Sequence, residues 1–568
     1  MTETTSHPPD FRRAGEPRPV RLAIALVLLV LAGYLGAFVY CATLRFPFPF
    51  DLEWMEGGMI THAARLLRGE PIYARPSSDF VAFFYTPIYS RVLAALGALA
   101  GGLSFPLGRS ISLVATLATF AMLFHAGRRE AGIRGGLVAV GLYAALYRTN
   151  GTFYDLARAD ALALALGLAA TLVAYEARST RGAVASALLF VLAFFTKQTS
   201  AILAPFVGLY LLTVNVRRAL VFGIVGATAG FAVGELEDVL SRGWFRFYIL
   251  EGHQGHLFYV RNFVLEYWRD LLFLCPTLVL VPTLGASFGR RTRFVALAFG
   301  ALLVAAFVQR VQTLDFPPHM YFSELWYESP RWRLLVPPIA IVSLLGLTRA
   351  LGRGMDLPSP YFLFLAVGGA LASDLNHSTQ WAYSNCFIPV AAYASLYTGI
   401  VIAKVAEQAA MSEGAARFAA LPAAMAMLVQ LAALAYDPRA QTPTEADYRA
   451  ERRFEEQLSR YPGPVFVPAH PLYAYRRDGT VHVHQMGISD VAFAGGLRDL
   501  PYRLERGHFP TVVTDTGCVV PDLDDWYVPV ARFEYEGREL YSRTGFAVRP
   551  DILWVHRDVY ARRTDRRR

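Results

Sequence analysis

The sequence predicts a polytopic α-helical membrane protein that ends in a small α/β unit, and three observations carry that prediction. Of 568 residues, 54% are hydrophobic and only 17% are charged, with a mean hydropathy of +0.34, well above that of a soluble domain. Apolar segments of near-membrane length recur up to residue 436, with short Arg-rich loops at alternate junctions. After Asp437 the composition turns polar, and strand-like runs alternate with Gly, Pro and Asp turns.

The first span, 22–40, follows a leader carrying Arg12, Arg13, Arg18 and Arg21. It is longer than a signal-peptide core, and Phe38-Val39-Tyr40-Cys41 is a poor lipobox, so it reads as an uncleaved signal anchor with its N-terminus in the cytoplasm. Further spans are expected at 109–126, 134–148, 160–177, 183–195, 200–215, 219–236, 271–288, 294–309, 334–350, 358–373, 386–404 and 416–435. With the first running outward, the basic loops Arg128 to Arg134, Arg178 to Arg181, Arg217-Arg218, Arg290 to Arg293 and Arg349 to Arg353 all fall inside. That parity requires Ile88 to Gly102 to be a surface helix rather than a crossing, giving about thirteen spans and an external tail. The organisation expected is a disordered cytoplasmic leader 1–20, a membrane domain 21–436 with a long first outer loop 42–108, and an extracytoplasmic α/β domain 437–568. In the tail, a helix is expected over Glu451 to Tyr461. Strands are expected at 463–468, 481–484, 511–514, 526–533 and 552–556, and a disordered basic end from Arg562.

Charge and cysteines exclude several classes. The net charge of +9 is accounted for by topology-setting Arg residues, so nucleic acid is not an expected partner. Cys41, Cys275, Cys386 and Cys518 form no close pair and no metal-ligand spacing. His253 and His256 stand at i, i+3 but lack a fixed carboxylate partner, so no metal ligand set is assigned and dependence on a divalent metal stays open.

The acids converge on the outer side. Asp51, Glu53 and Glu56 follow the first span, and Asp155, Arg158 and Asp160 precede the fourth. Lys197 and Gln198 follow the fifth, and a late outer loop carries His377, Tyr383 and Asn385. Ionised groups are expensive in hydrocarbon, so acids gathered at one face point to site chemistry. The spans carry almost no mid-helix charge, which argues against a proton-coupled transporter.

In order and sidedness these motifs resemble the GT-C superfamily of membrane glycosyltransferases, which includes protein O-mannosyltransferases and the lipid A aminoarabinose transferase. The matching segments are the first-loop acids, Gly69-Glu70-Pro71-Ile72-Tyr73, Tyr85-Thr86-Pro87-Ile88-Tyr89, Arg158-Ala159-Asp160, Lys197-Gln198 and Trp381-Ala382-Tyr383-Ser384-Asn385. The resemblance covers the chain in architecture but only short motifs in sequence, and three first-loop acids stand where many relatives show a compact Asp-Glu pair. It implies a GT-C fold and inverting sugar transfer from a polyprenyl-phosphate donor to a lipid, glycan or protein acceptor, at the outer face of an inner (plasma) membrane. Asp51 is the first choice for general base, with Glu53, Glu56, Asp155 and Asp160 as the other catalytic candidates. Lys197, Arg158 and Gln198 are candidates for the donor phosphate, and Tyr73, Tyr85, Tyr89, His377, Tyr383 and Asn385 for substrate contact.

Plainer readings stand beside these. Asp51 would suit a helix N-cap, Asp160 and Arg158 an interfacial ion pair, and Lys197 a snorkelling span end. The tail, lacking a phosphate loop or nucleophile elbow, reads as an acceptor-binding or stabilising unit. A multi-span transporter or flippase of a lipid-linked or small solute is the alternative function, and a non-catalytic envelope scaffold a third.

Overall fold

A computed structural model describes residues 16–288, 335–351, 360–411, 414–518, 520 and 522–565, together with positions 300, 301, 304, 305 and 308. The expected features of the leader before residue 16, most of the 294–309 span, Arg290 to Arg293 and the last three residues lie outside the described residues.

Helix α1 spans Arg18–Arg45, so helix already begins inside the expected leader. The first loop then folds as α2, Glu56–Leu67, and α3, Ile88–Ala100, the latter at the place expected for a surface helix. Helix α4, Phe105–Ala145, contains two expected spans, because its backbone leaves helical geometry at Ala131 and at Gly132, where φ is +68°. Only a residue without Cβ takes that conformation cheaply. The two arms meet through small residues: a Cβ on Gly127 would sit 2.8 Å from the Gly135 carbonyl oxygen.

Helices α5 (Asp160–Glu176), α6 (Thr180–Thr196), α7 (Ala204–Val214) and α8 (Val216–Leu240) follow. Further helices run over Tyr267–Leu274, Pro276–Phe288, Val336–Leu351, Pro360–His377, Ile388–Met411 and Ala420–Ala433. Among the described residues four helices are long and apolar enough to cross a membrane: Arg18–Arg45, Phe105–Ala145, Val216–Leu240 and Ser384–Met411. The pair Ala420–Ala433 and Pro438–Ser459, bent by 56°, makes a fifth if counted as one span. Helices α5 and α6, of 17 residues each, reach only about 25 Å at 1.5 Å per residue, short of a hydrocarbon core of about 30 Å. The chain is thus an integral membrane protein, and among the described residues length and composition alone mark four or five crossings where about thirteen are expected.

The tail begins with helix Glu445–Ser459, started by a Thr444/Asp447 capping box. Its sheet has the order β1-β2-β4-β3, with β1 Val465–Phe466, β2 Thr511–Asp515, β3 Tyr527–Arg532 and β4 Pro550–His556. β1 and β2 are parallel and the other pairs antiparallel. Segment 481–484, expected as a strand, joins no ladder. The Val483 amide donates to the Ser78 carbonyl, and His482 Nε2 accepts from the Val467 amide. Arg562 and Arg563, expected in a disordered end, lie in helix Arg557–Asp565. This tail packs on the first loop: the amides of Arg543 and Thr544 both donate to the Leu52 carbonyl, and Asp499 accepts from the Ser78 amide and hydroxyl.

Candidate active site

Three of the outer acids are built into the scaffold. Asp51 Oδ1 accepts from the Gly57 amide at 2.6 Å, at the start of α2, while its Oδ2 lies 2.9 Å from His470 Nδ1. The other ring nitrogen of His470 lies 2.7 Å from Asp515 Oδ2, and all three side chains are sealed from solvent. Burial alone would keep this imidazole neutral, but the Asp515 and Asp51 carboxylates push its pKa up to about 10. Glu56 forms a two-point pair with Arg109 at 3.0 and 2.7 Å and accepts from the Leu52 and Ala157 amides. These contacts outweigh burial and hold its carboxyl below the usual range. Asp155 lies 3.1 Å from Arg45 Nε and accepts from the Tyr147 hydroxyl.

Glu53 points elsewhere, into a cavity of about 640 Å³ whose lining also includes Tyr85, Arg158, Lys197, Gln198, Tyr383 and Asn385. Charges alternate along its wall. Glu53 Oε2 lies 2.7 Å from Arg158 Nη1, Arg158 Nε lies 4.0 Å from Asp160 Oδ2, and Asp160 Oδ1 lies 2.5 Å from Lys197 Nζ. Asn385 donates to the same Asp160 oxygen, and Arg158 to the Tyr85 hydroxyl. Burial raises Glu53 to about 7 despite the neighbouring Arg158 charge, the range in which a carboxylate works as a base near neutrality. The tail closes over it at Gly545, where φ is +80° and a Cβ would stand 2.8 Å from Glu53 Oε1. No side chain fits there without moving the carboxylate.

Among the residues singled out in the sequence, Glu53, Tyr85, Arg158, Lys197, Gln198, Tyr383 and Asn385 line this one cavity, and Asp160 braces two of them. Asp51, Glu56, Asp155, Tyr73, Tyr89 and His377 do not line it. The Tyr73 hydroxyl donates to the Tyr85 carbonyl and that of Tyr89 to the Gly108 carbonyl, which shapes the loop behind the wall. Sequence reasoning missed the tail's share of the lining, Asp490, Cys518 and Phe546 among it, since no motif marks it. Among the described residues no group of three or more His, Cys, Asp or Glu side chains is placed to hold a metal ion.

A second cavity, about 730 Å³ and apolar, lies between α6, α7 and α8, where Phe190, Phe194, Leu212 and Phe222 face Gly208, Gly223 and Gly226. Helix α6 ends at Thr196, and Lys197 is the next residue.

No family model matches the chain, and no curated protein sequence does. Among solved structures the chain is similar to ArnT from Cupriavidus metallidurans in the apo state, with 14% identity and a TM-score of 0.46 over 94% of this chain and 98% of that one. The same protein bound to undecaprenyl phosphate matches with 15% identity and a TM-score of 0.43, over 94% and 97%. The archaeal oligosaccharyltransferase AglB from Archaeoglobus fulgidus, in complex with an inhibitory peptide and a dolichol-phosphate, matches with 12% identity and a TM-score of 0.43, over 85% of this chain and 69% of that one.

Proposed function

We propose that the protein is a glycosyltransferase that moves a sugar from a polyprenyl-phosphate carrier to a cell-envelope acceptor at the outer face of an inner membrane, with Glu53 as general base. The observation that carries this reading is that Glu53, Arg158 and Lys197 line one cavity wall, with Asp160 joining the two cations, and that Lys197 directly follows the helix that borders an apolar groove. The groove suits a polyprenyl chain and the cations suit its phosphate.

In the step itself, the acceptor hydroxyl oxygen forms a bond to C1 of the sugar while the bond from C1 to the phosphate oxygen breaks. Glu53 takes the hydroxyl proton, and the electron pair leaves with the polyprenyl phosphate. Protonated Glu53 no longer neutralises Arg158, so the guanidinium charge becomes available to the leaving phosphate as its own charge grows. Lys197, more open to the cavity than Arg158, supplies the second cation. A single displacement inverts C1. Asp51, the first choice from sequence, is engaged on both oxygens and lies outside the cavity lining, which is why the base role passes to Glu53. The tail 437–568 serves in this reading as the roof of the site.

The test is transfer of radiolabelled sugar from a panel of polyprenyl-phosphate donors by membranes containing wild-type protein or Glu53→Gln. A positioned base contributes about 10² to 10⁴ in rate, so the variant should lose at least a hundredfold at equal expression. Full activity in Glu53→Gln would remove the base assignment, and no transfer by the wild type from any donor to validated acceptors would remove the reaction class.

A further inference from the structure

Beyond the charged row, the same cavity wall holds three polar atoms that protein groups leave unmet or meet only in a long 3.5 Å contact. Asp490 is 5% exposed, and its Oδ1 faces His256 Nε2 at 3.5 Å, the outer limit of hydrogen-bond distance. Neither atom has a hydrogen-bond partner, and neither does Gln198 Oε1. All three residues line the cavity. The Gln198 amide is fixed in orientation, because its nitrogen donates to the Phe84 carbonyl at 2.6 Å and sits 2.8 Å from His253 Nε2. The oxygen is therefore the end left over. Phe84 also holds the His256 ring, stacked at 5.5 Å and 29°.

Buried polar atoms are nearly always paired, and a built wall with three unpaired ones is complete only with something that pairs them. Two are oxygens that accept, which turns a phosphate away and selects donors. The third is an imidazole nitrogen that can serve a hydroxyl in either role. A hydroxyl placed between Asp490 and His256 gives its proton to the carboxylate and accepts from the ring, while a second donates to Gln198. We propose that Asp490, His256 and Gln198 form the subsite for hydroxyl groups of the transferred sugar, apart from the cations that hold its phosphate. This rests on the glycosyltransferase reading and adds where the sugar is recognised. It also moves Gln198 from the phosphate to the sugar.

The test compares binding of undecaprenyl phosphate with the same lipid bearing glucose, galactose, mannose or arabinose on the phosphate, to full-length protein in nanodiscs. In the wild type, one or more sugar-headed lipids should bind at least tenfold more tightly than the bare lipid phosphate. Asp490→Asn, nearly isosteric, and His256→Phe, which keeps the stack on Phe84, should each remove about tenfold of that gain, as expected for loss of a hydrogen bond to a charged or buried partner. Both should leave bare-lipid binding within twofold. Lys197→Met should weaken every lipid alike. Retention of the sugar-dependent gain in both variants, or no gain in a wild type that binds the bare lipid, would overturn the subsite and leave the phosphate site standing. A wild type that binds no lipid at all would overturn the glycosyltransferase reading first, and the subsite with it.

Discussion

Replacing His470 by Asn tests the clamp between the first loop and the tail. The imidazolium stands between Asp51 and Asp515 with all three side chains shielded, so its removal leaves two buried carboxylates facing each other without a cation. Breaking a buried ion pair by removing one partner costs about 3 to 5 kcal/mol, equivalent to a fall of roughly 10² to 10⁴ in the protection of amides that exchange only when the clamp opens. The assay is hydrogen–deuterium exchange on full-length protein in detergent. Residues 51–57 and β2 should lose that protection in His470→Asn, while helices away from the clamp keep theirs. The pH dependence gives a second readout with a definite sign. The folded-state pKa of about 10 lies above the ordinary value near 6.5, so the clamp's contribution is full below about 6.5 and declines as pH rises toward 10. Wild-type protection at 51–57 should fall over that window and that of His470→Asn should not. Unchanged protection in the variant, or a loss spread evenly over the protein, would refute the argument.

As the proposed base Glu53 would have to be ionised, and burial raises its pKa to about 7, so kcat/KM should rise with pH through about 7 and level off above 8, and a rate falling over that range would exclude it as the base. Gly545→Ala should cut transfer severalfold to a hundredfold with little change in expression, since a Cβ there meets Glu53 Oε1 at 2.8 Å, and Gly545→Ala with wild-type kinetics would show that the carboxylate is not held by the tail. Arg109→Met strands Glu56, whose partner it is on both oxygens, and should lower thermal stability by about 3 to 5 kcal/mol. Glu56→Gln should cost a comparable amount, because its single amide oxygen accepts from only one of the Leu52 and Ala157 amides that the two carboxylate oxygens serve and Arg109 is left without its counter-charge, and wild-type stability in either variant would contradict the pairing.

Much of the helical course was readable. The break between 109–126 and 134–148 coincides with Gly132 in the left-handed region, and the runs at 511–514, 526–533 and 552–556 became three strands of one sheet. Segment 481–484 alternates Val and His as a strand would, but its hydrogen bonds go to Ser78 and Val467, partners that no local pattern displays. The same limit governs the acids. Asp51, Glu53 and Glu56 lie within six positions, and which of them meets the cavity is decided by His470, Arg158 and Arg109, each contributed by a distant segment. A sequence shows that carboxylates are gathered, but the cation that each one meets is brought to it only by the folded chain.

The separation of these partners along the chain sets a timetable for biosynthesis. Glu56 meets Arg109 after 53 positions and Glu53 meets Arg158 after 105, whereas Asp51 waits 419 positions for His470. At about 5 to 20 residues per second of synthesis, that wait is roughly twenty to eighty seconds. Until the end of it the newborn chain carries Asp51 without its counter-charge, and the site stays unroofed for longer still, until Gly545 and Phe546 have been added.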